Sequence, residues 1–440
     1  MTQTSSPTAT SAGHTRSALM RRAWIVVGLL VVFMLINHAD KSVIAFAGVQ
    51  IQHDLGLSPQ EFGVIQSSFF WLFAVGALFF GWLSSKVSLR WLMAGLMLTW
   101  VATMAPLLGT VSFSVLVACR IVLGFAEGPA YALANHAVHS WFTPEKRAMP
   151  SGFVTAGASI GTLIAAPLLT WIIVRWDWHA AFYILIVMGL VWAVAWMIFG
   201  RGAPEDNTAA AKPATTIVVD TVDAPYKTIL RTGTVLGIAL LMFCSYWSTT
   251  LKVAWLPVYL QDGLGYDTIT TGRLVMLPYG FAAAGAIAAG WFSSRLIARG
   301  VSRKIARGYL SAVLIGGAGA AMMGFTVLPQ GPVQILLVSL AFSLNTAAFG
   351  VALSAIADVV QSKKRGMVLG GLSAVSSISG MIAPLVLGFT VGGAADKISG
   401  YASGFLMSGA LMVVGSIIAV FLVDPDRDIA RIRRSVEETA

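Results

Sequence analysis

The chain has 440 residues, of which 57% are hydrophobic and 11% charged, with a formal net charge of +10. A soluble domain carries about 25% charged residues, so the composition excludes a water-soluble enzyme or binding module. Two cysteines and no zinc-type spacing argue against a disulfide framework and a structural metal site.

In chain order, residues 1–20 are rich in Ser, Thr and Ala and read as a disordered cytoplasmic N-terminus. The apolar segment that follows is too long for a signal-peptide core. A helix needs about 20 apolar residues to cross the hydrocarbon core. That rule predicts twelve spans: 23–46, 61–84, 91–109, 112–138, 150–173, 180–200, 232–260, 271–296, 305–327, 332–358, 367–391 and 401–423. Gly109-Thr110 and Pro329-Gln330-Gly331-Pro332 divide two uncharged runs too long for single spans. The 44 glycines suit close helix packing, and Gly157 and Gly161 form one such small-residue pair.

Basic residues stay on the cytoplasmic side of a membrane. With both ends inside, 23 Lys/Arg fall in cytoplasmic segments, and only Arg175, Arg273 and Lys397 fall outside. The asymmetry accounts for the positive charge without a nucleic-acid partner. It predicts a multi-pass protein of the bacterial cytoplasmic membrane with both termini cytoplasmic.

The chain reads as two copies of one half. Gly81-Trp82-Leu83-Ser84-Ser85-Lys86 is echoed by Gly290-Trp291-Phe292-Ser293-Ser294-Arg295, and Lys146-Arg147-Ala148-Met149 by Lys364-Arg365-Gly366-Met367. The expected organisation is a six-helix bundle over 21–200, a polar cytoplasmic linker over 201–231, a second six-helix bundle over 232–423 and a cytoplasmic tail over 424–440. The fold class is therefore all-α, with two parallel six-helix repeats and a site at their interface near the membrane midplane.

Five charged residues lie inside these apolar spans: Asp40, Lys41, Arg120, Glu127 and Lys252. Each would cost roughly 2.5–3.5 kcal/mol against lipid, about 15 kcal/mol together, so they should face one another or a wet cavity. Arg120 and Glu127, seven residues apart, share a helix face about 10.5 Å along the axis, and Tyr131 and Asn135 extend the stripe. Arg grips a carboxylate and keeps its proton, whereas Glu can exchange one. An anion competing for the cation would then couple binding to protonation. The alternative is a structural ion pair, which is a weak stabiliser.

The motifs resemble the major facilitator superfamily over nearly the whole chain. Gly81–Arg90 is similar to that family's loop between spans two and three, with Ser85 in place of an Asp and Ser88 in place of a Gly. Asp40-Lys41, Arg120-x-x-x-Gly124-x-x-Glu127-Gly128 and Trp141-Phe142-Thr143-Pro144-Glu145-Lys146-Arg147-Ala148 resemble the anion:cation symporter branch, which imports sugar acids and aromatic acids. The resemblance implies that Lys41 replaces an Arg that touches the substrate carboxylate, that Asp40 is a second protonating carboxylate, and that His38 replaces a Tyr. Helix packing is the other reading of Asp40, and a core histidine the other reading of His38. Lys252 lies near the repeat position of Lys41 and reads equally as functional or structural. Gln66, Thr155, Asn345 and Ser376 are candidates for substrate hydroxyls. Trp71, Trp247 and Trp255 are candidates for ring stacking. Asp358 reads as a loop anchor.

No phosphate-binding loop, nucleophile elbow or His-Glu-x-x-His occurs, so neither an ATP-driven pump nor a membrane hydrolase is expected. Gly161 is followed by Thr162 rather than the Pro of drug antiporters. The expectation is a monomeric proton symporter for a small organic carboxylate, with no cofactor and no metal. Its partners are the anion, protons and the lipid bilayer. An exchanger for a phosphorylated or dianionic substrate is the alternative. A receptor that binds the anion without moving it is a third reading, disfavoured by loops too short for a signalling domain.

Overall fold

The structure, a computed structural model, describes residues 9–142, 146–200 and 225–437. The expectations for residues 1–8, 201–224 and 438–440, and for Thr143-Pro144-Glu145, lie outside the described residues. The described residues contain twelve helices long and apolar enough to cross a membrane. Spans 1 to 6 are Leu19–Phe46, Pro59–Leu83, Leu89–Leu108, Phe113–Trp141, Met149–Arg175 and Trp178–Phe199. Spans 7 to 12 are Gly233–Ala254, Thr268–Ala298, Lys304–Val327, Pro332–Val359, Lys364–Gly393 and Lys397–Leu422. No strand occurs among the described residues.

The seventh helix corrects the sequence expectation. It ends at Ala254 instead of 260. Pro257 has no N–H to continue the ladder, and the chain goes on as short turns over Leu256–Val258 and Tyr259–Gly263. A helix over Pro425–Glu437 was also not foreseen. It is tied down by the buried Asp428 carboxylate, which accepts the Thr234 backbone N–H at 2.6 Å.

Five even-numbered spans start on side-chain caps that accept the backbone N–H three residues on, span 4 on Ser112 among them. Ser58 caps span 2 as a capping box with Glu61, and Asp177, Asp267 and Asp396 cap spans 6, 8 and 12. Each such cap is worth about 1 kcal/mol. Ser58 and Asp267 stand at repeat-related positions, as do Asp177 and Asp396. The internal repeat therefore extends to these helix starts, with unlike caps in the first pair and Asp in both members of the second.

Spans 1–6 pack chiefly on one another, as do spans 7–12. Gly157 and Gly161 lie against Val31 and Leu35 of span 1. The two sets meet mainly where span 2 crosses span 11 and span 5 crosses span 8. The tight contacts lie at the end of the bundle away from the chain termini. There Ser67 Oγ donates to the Met381 carbonyl at 2.6 Å and the Gln66 amide to the Ala254 carbonyl at 2.9 Å. A Cβ added to Gly63 would stand 2.8 Å from the Pro384 oxygen, and one added to Gly388 would stand 2.8 Å from the Pro59 oxygen. Only hydrogen at both positions permits this approach of backbones. At the terminus-side end of these four spans, Cβ atoms added to Gly81, Gly152, Gly290, Gly366 or Gly370 would meet nothing within 4 Å. One end is sealed and the other is splayed.

Ion pairs brace the terminus-side end of spans 7–12. Arg303 reaches Asp426 at 3.2 Å and Asp358 at 3.8 Å, Lys304 reaches Asp424 at 3.2 Å, and Arg307 also pairs with Asp358. Asp358 is thus an anchor between helices. Ser85 bonds only locally, donating to the Trp82 carbonyl at 2.7 Å.

Gly63→Val and Gly388→Val should each pry the sealed end apart. In protein with Cys119 and Cys244 changed to Ser, a cysteine replacing the buried Ser67 should react faster with a small thiol reagent in either variant. Unchanged reactivity would show that the glycine contact does not hold that end shut.

Candidate functional site

Between the two sets of helices lies a cavity of about 450 Å³. Its lining runs from the buried Gln66, Thr250 and Lys252 to the exposed Thr155, Ala283 and Ala286, so it opens toward the splayed end. Spans 1, 2, 4 and 5 supply one wall and spans 7, 8 and 10 the other.

The backbone breaks where the cavity is lined. Span 2 loses regular helical form near Phe69–Leu72, span 4 at Gly128-Pro129 and span 10 at Phe342-Ser343. Irregular backbone is tolerated at membrane depth where protein or a cavity satisfies it. The break in span 2 turns Phe69 and Phe70 into the cavity. Span 4 presses close to it, because a Cβ on Gly124 would lie 1.7 Å from the Phe69 carbonyl oxygen. Arg120, one turn earlier, thereby reaches over the Phe69 ring, with its guanidinium carbon 4.8 Å from the ring centroid.

The four charged residues of spans 1 and 4 form one cluster. Lys41 Nζ is 2.7 Å from Glu127 Oε2 and donates to Asn37 Oδ1 at 2.7 Å. The Asp40 carboxyl stands against that of Glu127, with Lys41 and Arg120 nearby. Asp40 and Glu127 are each 1% exposed and do not line the cavity; Lys41 and Arg120 do. The cations form the cavity face and the carboxyls lie behind them. Neither Asp40 oxygen receives an N–H or O–H from a described residue. Arg120 donates to Gln66 Oε1 at 3.3 Å, yet its Nε and Nη1 are buried without a partner among the described residues. A buried donor left unmade costs about 1–3 kcal/mol, and more on a charged group.

Gln66 spends both ends of its amide, accepting from Arg120 and donating to the Ala254 carbonyl of span 7 at 2.9 Å. It links the arginine to the opposite wall. His38 lines the cavity, and its Nδ1 lies 3.0 Å from the Met34 carbonyl of its own helix. Lys252 lines the opposite wall, donating to the Phe342 carbonyl at 3.0 Å and lying 4.6 Å from the Tyr279 ring centroid.

Four expected substrate residues stand off the lining. Tyr131 is half exposed beyond the kink at Pro129, and its hydroxyl meets Thr155 at 3.0 Å. Asn135 donates to the Tyr131 carbonyl of its own helix. Both lie beyond the break at Gly128-Pro129, with Tyr131 against the mouth-side lining residue Thr155 and not with Arg120. Asn345 donates to the Ser245 carbonyl and to Thr249 Oγ1, fastening span 10 to span 7. Ser376 donates to the Leu372 carbonyl one turn back. None of the three tryptophans lines the cavity. Trp255 is fully buried, Trp247 donates to Ser408, and Trp71 donates to Ser67. The rings of the lining are instead Phe69, Phe70, Phe73, Tyr246 and Tyr279. Their sequence signal, an aromatic cluster in span 2 and tyrosines in otherwise apolar helices, is no different from that of packing residues.

Residues 30–384 match the family model described as Major Facilitator Superfamily. The chain is 29% identical to the hexuronate transporter of Bacillus subtilis (strain 168), over 89% of this chain and 92% of that one. It is 26% identical to the D-galactonate transporter of Escherichia coli O6:H1, over 92% and 96% of the two chains. Among solved structures, it superposes with a TM-score of 0.77 on an inward-facing, unoccupied bacterial homolog of the human lysosomal transporter Spinster, at 15% identity over 93% and 98% of the two chains. A D-xylose-proton symporter superposes with a TM-score of 0.73, also at 15% identity, over 92% and 99%. Twelve membrane helices of this topology around a central cavity, matched by the family model over most of the chain, mean that this protein belongs to the Major Facilitator Superfamily and is a membrane transporter, not an enzyme.

Proposed function

We propose that the protein imports a small organic carboxylate together with a proton, by alternating access of one cavity to the two sides of the membrane. The observation that carries this is the buried cluster of Lys41, Arg120, Asp40 and Glu127, with its cations at the cavity face and its carboxyls behind. The termini are assigned to the cytoplasm of a bacterial cell, on the strength of the 23 Lys/Arg on that side. The sealed end is then extracytoplasmic, the cavity faces inward, and the protein works as a monomer.

The coupling follows from charge. The four side chains cancel formally when all are ionised. A carboxylate that docks on Arg120 and Lys41 leaves the cluster one unit negative in a medium where uncompensated charge is expensive. One proton restores the balance. It has a place to go, because Asp40 and Glu127 face each other with acceptor oxygens unfilled, and a proton held between two carboxyls fills them. Arg120 lines the cavity with Nε and Nη1 buried and unpartnered among the described residues, donors that a small turn of the guanidinium would offer the anion. Release into the cytoplasm frees both cations to draw the carboxyls back, expelling the proton.

The names of the relatives favour a sugar acid as substrate, and the aromatic rings of the lining would equally hold an aromatic acid against their faces. Exchange of one anion for another is the competing reading, favoured by the third cation, Lys252. An exchanger would need counter-substrate inside the vesicle and would ignore a pH gradient.

In proteoliposomes, Glu127→Gln should keep substrate exchange and lose accumulation driven by a pH gradient. Normal accumulation by this variant would refute the proton role. Arg120→Gln should abolish measurable transport. Tyr131→Phe, off the lining, should leave the half-saturation constant within about two-fold, the range of substitutions away from a site. A large loss in Tyr131→Phe would move the substrate toward the inner end of span 4.

A further inference from the structure

The cavity has two walls of unequal charge. On the wall from spans 1 and 4, two cations are matched by two carboxyls. On the opposite wall stands Lys252, 4% exposed and lining the cavity, with no acidic side chain beside it among the described residues. Its ammonium makes one hydrogen bond, to the Phe342 carbonyl, and leans on the Tyr279 ring. Those contacts leave donor capacity, since an ammonium has three N–H groups. A buried cation without a counter-charge is expensive, and the space in front of it is the substrate cavity.

We propose that Lys252 is a second anion subsite and that the preferred substrate is a dianion, with one carboxylate on Arg120 and Lys41 and a second acidic group on Lys252. The assignment rests on the proton-coupled reading above, and the charge count sharpens it. With Lys252 included, the ionised set is one unit positive. A monoanion with its proton balances the Arg120 wall and leaves Lys252 uncompensated, whereas the second acidic group of a dianion neutralises Lys252 as well. A dianion leaves it one unit negative, and one proton closes the count. The two anion sites lie on opposite walls, so the dianion must carry its acidic groups at opposite ends of its skeleton. Such a molecule would also draw the two halves together.

A purely structural role is the competing account. Lys252 caps a carbonyl freed by the break in span 10, beside Ser248, which donates to the Ala341 carbonyl at 3.0 Å. The test therefore compares acids of one skeleton and different charge. Counterflow into proteoliposomes at equal pH on both sides, which needs no proton gradient, would use gluconate against glucarate and benzoate against benzene-1,4-dicarboxylate. In at least one pair the wild-type protein should carry the diacid with a half-saturation constant about ten-fold or more below that of the monoacid, the worth of one charge-assisted hydrogen bond. Lys252→Gln and Lys252→Met should erase that preference by weakening the diacid alone, and Lys252→Arg should retain it. Ser248→Ala, which removes the neighbouring strap, should affect both acids alike. The proposal is overturned if no diacid is carried, or if wild-type protein favours the monoacid or neither acid in both pairs. It is equally overturned if the neutral Lys252 variants leave the preference intact or weaken both acids equally, or if Ser248→Ala shifts the preference as far as they do. Because counterflow ignores the gradient, loss of proton coupling in Glu127→Gln and loss of diacid preference in Lys252 variants are separate results.

Discussion

Everything at the centre of this protein depends on the cost of charge in a low-dielectric interior. Lys41 and Glu127 at 2.7 Å, with Arg120 and Asp40 beside them, are tolerable in the middle of the bundle only as a set. Removing one member would strand another, and an unpaired buried charge costs several kcal/mol. A buried ion cluster is a poor way to stabilise a fold, since apolar residues of the same volume do as well or better. What the cluster offers instead is sensitivity: any ion that enters the cavity changes the charge balance that holds the set together.

The surrounding architecture makes that sensitivity usable. The glycine contact of spans 2 and 11 seals one end, while the other end is splayed. Gln66 stands between these features, holding Arg120 with one end of its amide and the Ala254 carbonyl with the other. A change at the arginine is therefore felt on the opposite wall through two hydrogen bonds. The broken helices add to this, leaving the Phe342 carbonyl for Lys252 and turning aromatic rings of span 2 into the cavity. Regular helices would have offered neither.

Much of this was legible in the chain. Twelve spans, the internal repeat and the five intramembrane charges follow from run length, echo and composition, because a bilayer imposes a length and a penalty that any sequence must obey. The expected boundaries agree within a few residues except in span 7, where Pro257 stops the helix early. Of the expected stripe, Arg120 and Glu127 belong to one buried cluster, while Tyr131 and Asn135 lie beyond the break at Gly128-Pro129 and outside it. The helical wheel assumes an unbroken helix, and the turn at Gly128-Pro129 interrupts this one. Asn345 and Ser376 are polar residues in apolar helices, as Arg120 is, yet each donates to nearby groups instead of lining the cavity. Sequence shows that a polar group needs a partner and is silent on which partner it finds.

The sequence by itself determined the membrane class, the number of spans, the repeat and the list of charges that cannot face lipid. These are one-dimensional properties, counted along the chain and enforced by the solvent. Only the tertiary structure decided that cations face the cavity and carboxyls lie behind them, that aromatic rings of span 2 rather than tryptophans line it, and that Lys252 stands alone on the far wall. Those facts depend on kinks, breaks and crossings that bring distant residues within a few ångströms, where burial and charge act through space.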